Sequence, residues 1–155
     1  MSEVSIEDIQ AAGQFFKVAT VQNKYNLVDR GSEAVLNYCA TQNIGFISWF
    51  PVAAGDHAKP GTILDKISRD HRVGPAQVAL AWVLKRSSVM LPIHETSKVR
   101  HLEENVLSAS ENCWGGTAHG IGLCQDEVAQ LTIMKGPSQW NLNVYRRANP
   151  HRLEP

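Results

Sequence analysis

The chain has 155 residues, enough for one domain with a real core, and its 43% hydrophobic and 19% charged content is that of a globular protein, not a disordered one. Fifteen basic and fifteen acidic residues give a formal net charge of zero, which argues against a broad electrostatic nucleic-acid footprint and gives little colloidal protection against association. No run approaches the roughly 20 apolar residues of a membrane span, the acidic start MSEVSIEDIQ has no signal-peptide character, and Cys39, Cys113 and Cys124 lack CxxC spacing, so a reducing cytoplasm is expected.

In chain order, residues 4–15 have a helical pattern. Ser5 is placed to cap, Glu7 and Asp8 lie in the first turn, and Ile6, Ile9 and Ala12 fall at helical spacing. Residues 17–22, KVATVQ, predict a strand, and residues 23–26 a loop. Ser32 opens a helix through Ala34, Val35, Tyr38 and Cys39. Residues 45–49, GFISW, predict a second strand, stopped by Pro51. A turn at Pro60-Gly61 precedes a helix over 63–70, and Pro75 fits the first position of another over 76–85. The apolar run VMLPI, 89–93, predicts a third strand, and a helix follows from Lys98 to about Ala109 with Thr96 as its N-cap.

Strands alternating with helices imply parallel strands and right-handed crossovers. A two-layer Rossmann-like unit and part of a (β/α)8 barrel both satisfy that order. The third βα unit has its own chemistry. A strand running into a helix N-terminus leaves backbone N–H groups and a positive dipole end facing out, and Lys98, Arg100 and His101 add cations beside it, which suits a phosphate. An ordinary βα turn with a solvated basic face fits the same residues.

Residues 93–105, IHETSKVRHLEEN, resemble the NADP-binding segment of the aldo-keto reductases, usually written IPGTSSVxHLEEN; the match breaks at His94-Glu95, where the family has Pro-Gly. Three further stretches, VATVQNKYNL, WFPVAAG and the helix AQVALAW, are similar to the same family, and the likeness extends from about Ser2 to Ala109. It implies an α/β fold, a partial (β/α)8 TIM barrel of about strands six to eight with their helices. A complete barrel has eight strands and about 250 residues. Residues 1–109 are thus expected to form the C-terminal half of the barrel, and 110–155 a divergent loop, a terminal helix and an irregular tail.

The resemblance implies NADP(H) as cofactor and assigns its contacts. Gln22, helped by Ser2, holds the nicotinamide carboxamide, and Trp49 stacks on the nicotinamide ring. Glu3 stands where many members carry Asn. Phe50, Val52 and Gly55 lie in the segment that covers the pyrophosphate. Thr96, Lys98 and His101, with Ser97 among them and Arg100 as an extra cation, hold the 2′-phosphate. Glu104 and Asn105 contact the adenine. Without the resemblance, Trp49 reads as a core tryptophan, and Glu104 and Asn105 as solvated helix residues.

The family's catalytic Tyr, Lys, Asp and His belong to the first half of the barrel, so no catalytic residue is assigned. Tyr25, Lys24 and Asp29 read as solvated loop residues. A metal reading of His94-Glu95 lacks a second His at position 98, and Cys113, Cys124, His119 and His101 have no regular ligand spacing. Residues 110–122 read as a loop, 123–134 as a helix ended by Gly136-Pro137, and the remainder as an irregular tail. Three functions are open: a truncated oxidoreductase-like chain that keeps the NADP(H) side without catalysis; a structural or interaction module, or a non-functional remnant, that self-associates or pairs with the missing half through open barrel edges; and an active enzyme with an unrelated site or a complementing chain.

Overall fold

The computed structural model describes residues 1–52, 58–109 and 121–133. Its elements run α1 (Ile6–Gly13), β1 (Thr20–Lys24), α2 (Glu33–Gln42), β2 (Gly45–Trp49), α3 (Ile63–His71), α4 (Pro75–Lys85), β3 (Met90–Pro92), α5 (Val99–Ala109) and α6 (Gln125–Ile133). The three strands form one parallel sheet in the order β1-β2-β3. Ser2 adds a parallel bridge to Gln22 outside β1, with the Gln22 N–H donating to the Met1 carbonyl and the Glu3 N–H to the Gln22 carbonyl, both at 2.8 Å. No described helix is long and apolar enough to cross a membrane.

Local chemistry accounts for the helix ends. Ser5 and Asp8 form a reciprocal capping box on α1. Thr62 caps α3 through the Asp65 N–H, and Pro75 opens α4. The helix expected after Ser32 begins at Glu33, but the Ser32 side chain makes no capping bond. Thr96 accepts the Lys98 N–H at 3.2 Å just ahead of α5. The terminal helix is described as far as Ile133; Gly55, Cys113 and the tail reading of 134–155 lie outside the described residues.

Two sequence expectations are corrected. The first strand runs Thr20–Lys24, not 17–22, because Asn23 and Lys24 pair in register with Ser48 and Trp49 of β2. The buried Asn23 amide further ties the strand to Val4, donating to its carbonyl at 2.9 Å and accepting its N–H at 3.1 Å. Tyr25 is a core residue, not a solvated loop residue. It is 0% exposed, its ring stacks on Trp82 at 6.0 Å between centroids, and it meets Phe46 edge-on, also at 6.0 Å. Its hydroxyl donates to Glu33 at 2.6 Å and accepts from Arg86 Nε at 3.0 Å, while Arg86 closes the set by pairing with Glu33. Burial pushes the Tyr25 phenol pKa up, against the opposing pull of Arg86 and Arg30.

The sheet has two unlike faces. Val21, Asn23, Phe46, Ser48 and Met90 are buried beneath the helices. The alternate positions, Thr20, Gln22, Lys24, Gly45, Ile47, Trp49 and Leu91, point the other way. This second face has no covering layer among the described residues: Leu91 is 50% exposed and Ile93, just beyond β3, 49%. Gly45 fits closely there: a Cβ would lie 3.1 Å from Leu91 Cδ1 and 3.2 Å from Thr20 Cγ2, so those side chains would have to shift by a few tenths of an ångström. The outer side of α5 also carries exposed Val99, Leu102 and Val106 at helical spacing.

A buried cation holds the last helix. Arg30 is 3% exposed, lies 4.7 Å from the centre of the Trp82 ring, and donates to the carbonyls of Leu27, Leu131 and Thr132. The latter two close the C-terminal end of α6, where carbonyls otherwise lack partners. Trp82 Nε1 donates to Thr132 Oγ1 at 3.0 Å, and His71 meets Glu127 at 2.7 Å, so α6 is fastened at both ends. Arg30→Ala should lower the unfolding free energy by about 3 kcal/mol, since it leaves buried carbonyls unsatisfied; urea denaturation monitored by circular dichroism would detect this, and a change below about 0.5 kcal/mol would show that water or another group replaces the guanidinium.

Candidate functional site

Parallel strands bring their C-terminal ends to one rim. There the sequence-selected residues fall into two groups. The first is built on β1, β2 and the Met1–Glu3 segment. Gln22 points from the middle of β1 onto the uncovered face and is half-buried, beside Ser2. Trp49, at the end of β2, shares that face and is half-buried rather than part of the core. Phe50 follows in a left-handed conformation, φ 54°, and is exposed; its ring lies 6.5 Å from that of Trp49, tilted by 54°. Val52 is half-buried.

Asn26 supports this rim. Its side chain donates to the Phe50 carbonyl at 3.1 Å and accepts the N–H groups of Val28 and Asp29 at 3.0 and 2.7 Å. One buried amide therefore ties the loop after β1 to the strained backbone at the end of β2. Ser48 Oγ donates to the Tyr25 carbonyl in the same region.

Two charged groups flank Trp49, Glu3 and Lys24, and a third, Asp29, pairs with Lys24. Glu3, itself at φ 50°, accepts the indole N–H of Trp49 and, at 2.9 Å, the backbone N–H of Lys24. The Lys24 ammonium lies 5.8 Å from the Trp49 ring centre and 5.9 Å from that of Phe50. It pairs with Asp29 at 2.9 Å. Lys24, and to a lesser extent the Gly31 N–H, hold the Asp29 carboxyl below its ordinary value against the opposing effect of burial. Lys24 and Asp29 are thus a paired, half-exposed couple at the rim, not independent solvated loop residues. The only sequence signal for them was proximity: Lys24 follows Gln22 by two, the spacing that puts both on one face of a strand.

The second group lies where β3 gives way to α5. The Ile93 N–H donates to the Ser48 carbonyl at 2.9 Å, so the chain leaves the sheet beside the end of β2. His94, Glu95, Ser97, Lys98, Arg100 and His101 are exposed, and Thr96 is half-buried. Arg100 is engaged with Glu104 at 2.8 Å, one turn along. Lys98 and His101 have no carboxylate partner among the described residues. Glu104 and Asn105 are half-buried. The Glu104 carbonyl accepts from Gln77 of α4, which docks α5 against α4, and from Ser108 within α5, both at 3.0 Å.

Residues 1–112 match the aldo/keto reductase family. The chain is 57% identical over 131 residues to an uncharacterised oxidoreductase of Schizosaccharomyces pombe, across 84% of this chain and 40% of that protein. It is 33% identical over 106 residues to pyridoxine 4-dehydrogenase of Escherichia coli, across 68% of this chain and 37% of that enzyme. Its fold is similar to an aldo-keto reductase from Klebsiella pneumoniae in complex with NADPH, with a TM-score of 0.68 and 24% identity across 84% of this chain and 45% of that one. A thermostable aldo-keto reductase bound to the inhibitor epalrestat gives a TM-score of 0.70 at 22% identity, across 84% of this chain and 46% of that one. The chain therefore spans less than half the length of these relatives. By its sequence match and its parallel α/β fold, this chain belongs to the aldo/keto reductase family.

Proposed function

We propose that the chain is the NADP(H)-binding, C-terminal half of an aldo-keto reductase barrel, with residues 1–109 forming the half-barrel, and that it does not reduce carbonyls by itself. The observation that carries this reading is the uncovered sheet face, with Gln22 in the middle of β1 and Trp49 at the C-terminal end of β2, adjoining the basic start of α5. Parallel sheets are ordinarily covered on both faces, and a half-barrel has its inner face open by construction.

The residues at the rim suit the cofactor. Trp49 offers an indole face for nicotinamide to stack on, and Gln22 an amide for its carboxamide, with Ser2 adjacent. Phe50, Val52 and Gly55 belong to the segment assigned to the pyrophosphate. Lys98 and His101 are exposed cations without carboxylate partners among the described residues, which suits a 2′-phosphate beside Thr96 and Ser97. Arg100 is paired with Glu104, so its contribution as an added cation requires that pair to open. Glu104 and Asn105, along the same helix, are left for the adenine. NADPH supplies a hydride when bound; the residues of this chain bind and orient it. A general acid toward a carbonyl is not among the residues assigned here.

Thermal unfolding with and without NADPH, followed by tryptophan fluorescence, tests the reading. A nucleotide at about 100 times its dissociation constant should add about 2.7 kcal/mol to the folded state, and Lys98→Ala with His101→Ala should remove most of that gain. Aldehyde reduction should be absent. Turnover by the purified chain, or a transition that NADPH does not move, would overturn the proposal.

A second reading is favoured by the exposure of Leu91, Ile93, Val99, Leu102 and Val106. An apolar sheet face and helix stripe left in water drive association, and the zero formal charge does little to oppose it. The chain then acts as an interaction module, joining a second copy or a complementary barrel half. Light scattering after size exclusion should give a mass above 17.1 kDa that rises with concentration, and Leu91→Lys should reduce it. A monomer at all concentrations would exclude self-association.

A further inference from the structure

Trp49 is gripped by a residue that the family likeness does not explain. Glu3 is anchored through its own N–H, which donates to the Gln22 carbonyl at 2.8 Å. Its carboxylate accepts the Trp49 indole N–H and the Lys24 N–H. The side chain is thereby fixed at the edge of the ring, on the sheet face that Gln22 shares. Lys24 brings a positive charge near the Trp49 ring, but Asp29 pairs with it at 2.9 Å. The formal charges of Glu3, Lys24 and Asp29 are −1, +1 and −1, one net negative charge for the cluster, and the Glu3 carboxylate is the member bonded to the indole.

We infer that Glu3 is a specificity-determining residue that orients Trp49 and biases this site toward the oxidised nicotinamide over the reduced one. The inference rests on the nicotinamide reading above and goes beyond it. NADP+ and NADPH carry the same phosphates, sugars and adenine and differ by one positive charge on the nicotinamide ring. Contacts at the α5 end bind both forms alike, and uniform binding gives no preference. A fixed negative charge beside the stacking residue acts on the difference alone. The ring geometry and the charge come from the same side chain, and substitution can separate them.

The experiment is the dissociation constant of NADP+ and of NADPH, by calorimetry, for the wild-type chain, Glu3→Gln and Glu3→Ala. Glutamine retains an acceptor for the indole N–H and removes the charge. Glu3→Gln should weaken NADP+ about three- to tenfold while leaving NADPH within about twofold, as expected for one partly screened charge. Glu3→Ala should show the same loss and also alter the Trp49 emission of the nucleotide-free chain, a change absent in a Trp49→Phe background. Should Glu3→Gln fail to fold, Asp29→Asn removes the second negative charge from the same cluster and should shift the ratio in the same direction. Binding of both nucleotides with an unchanged ratio in these variants overturns the role of Glu3 and leaves the cofactor reading standing. Binding of neither nucleotide by the wild-type chain overturns both.

Discussion

The stack of Tyr25 on Trp82, with Arg30 over the indole, is the contact on which the arrangement depends. It joins three parts of the chain that are distant in sequence: the end of β1, the middle of α4 and the C-terminal end of α6. Tyr25 follows Lys24 directly and its carbonyl accepts from Ser48, so the packing of its ring also sets where β1 and β2 end. Lys24, Trp49 and Phe50 sit one step beyond that packed layer. The rim is positioned by a buried aromatic core, as a site on rigid elements requires.

Arg30 gives the core an unusual character. A buried guanidinium normally has a carboxylate partner. Here it has carbonyl oxygens and an aromatic face, and burial draws its pKa down from the ordinary value. Planar geometry suits this role, because one fork reaches Leu27, Leu131 and Thr132 together. The Tyr25–Glu33–Arg86 set lies on the other side of Tyr25 and satisfies its hydroxyl. Polar groups inside this core are accordingly paired: among the described residues no buried side-chain nitrogen or oxygen lacks a partner.

The two sides of the sheet are in different physical states. The helix side is dense, with Val21, Phe46, Trp82 and Leu36 fully buried. The opposite side leaves Ile47, Leu91 and Ile93 without a covering layer among the described residues. Pro92 lacks an N–H and stands where β3 presents its free edge, since Val89 and Ile93 are the neighbours that bond to β2. That edge therefore offers acceptors rather than a full ladder, which weakens indiscriminate strand addition.

Sequence alone carries the order of strands and helices, the cap at Ser5, the Pro75 start of α4, and the family. These are legible because hydrophobic periodicity, capping chemistry and contiguous motifs are local properties of the chain. It also brought forward Gln22 and Trp49 on motif likeness, and the Thr96–Asn105 stretch on both motif likeness and the basic helix start at Lys98, Arg100 and His101. Tertiary structure decided the rest. Asn23 and Lys24 became strand only because β2 lies alongside them, and Tyr25 became core only because Trp82 and Phe46 enclose it. Glu3 and Trp49 are 46 residues apart, and no local pattern announces a hydrogen bond across that distance. Whether a carboxylate is a solvated charge or the clamp on an aromatic ring depends on which backbone passes beside it, and only the folded chain specifies that.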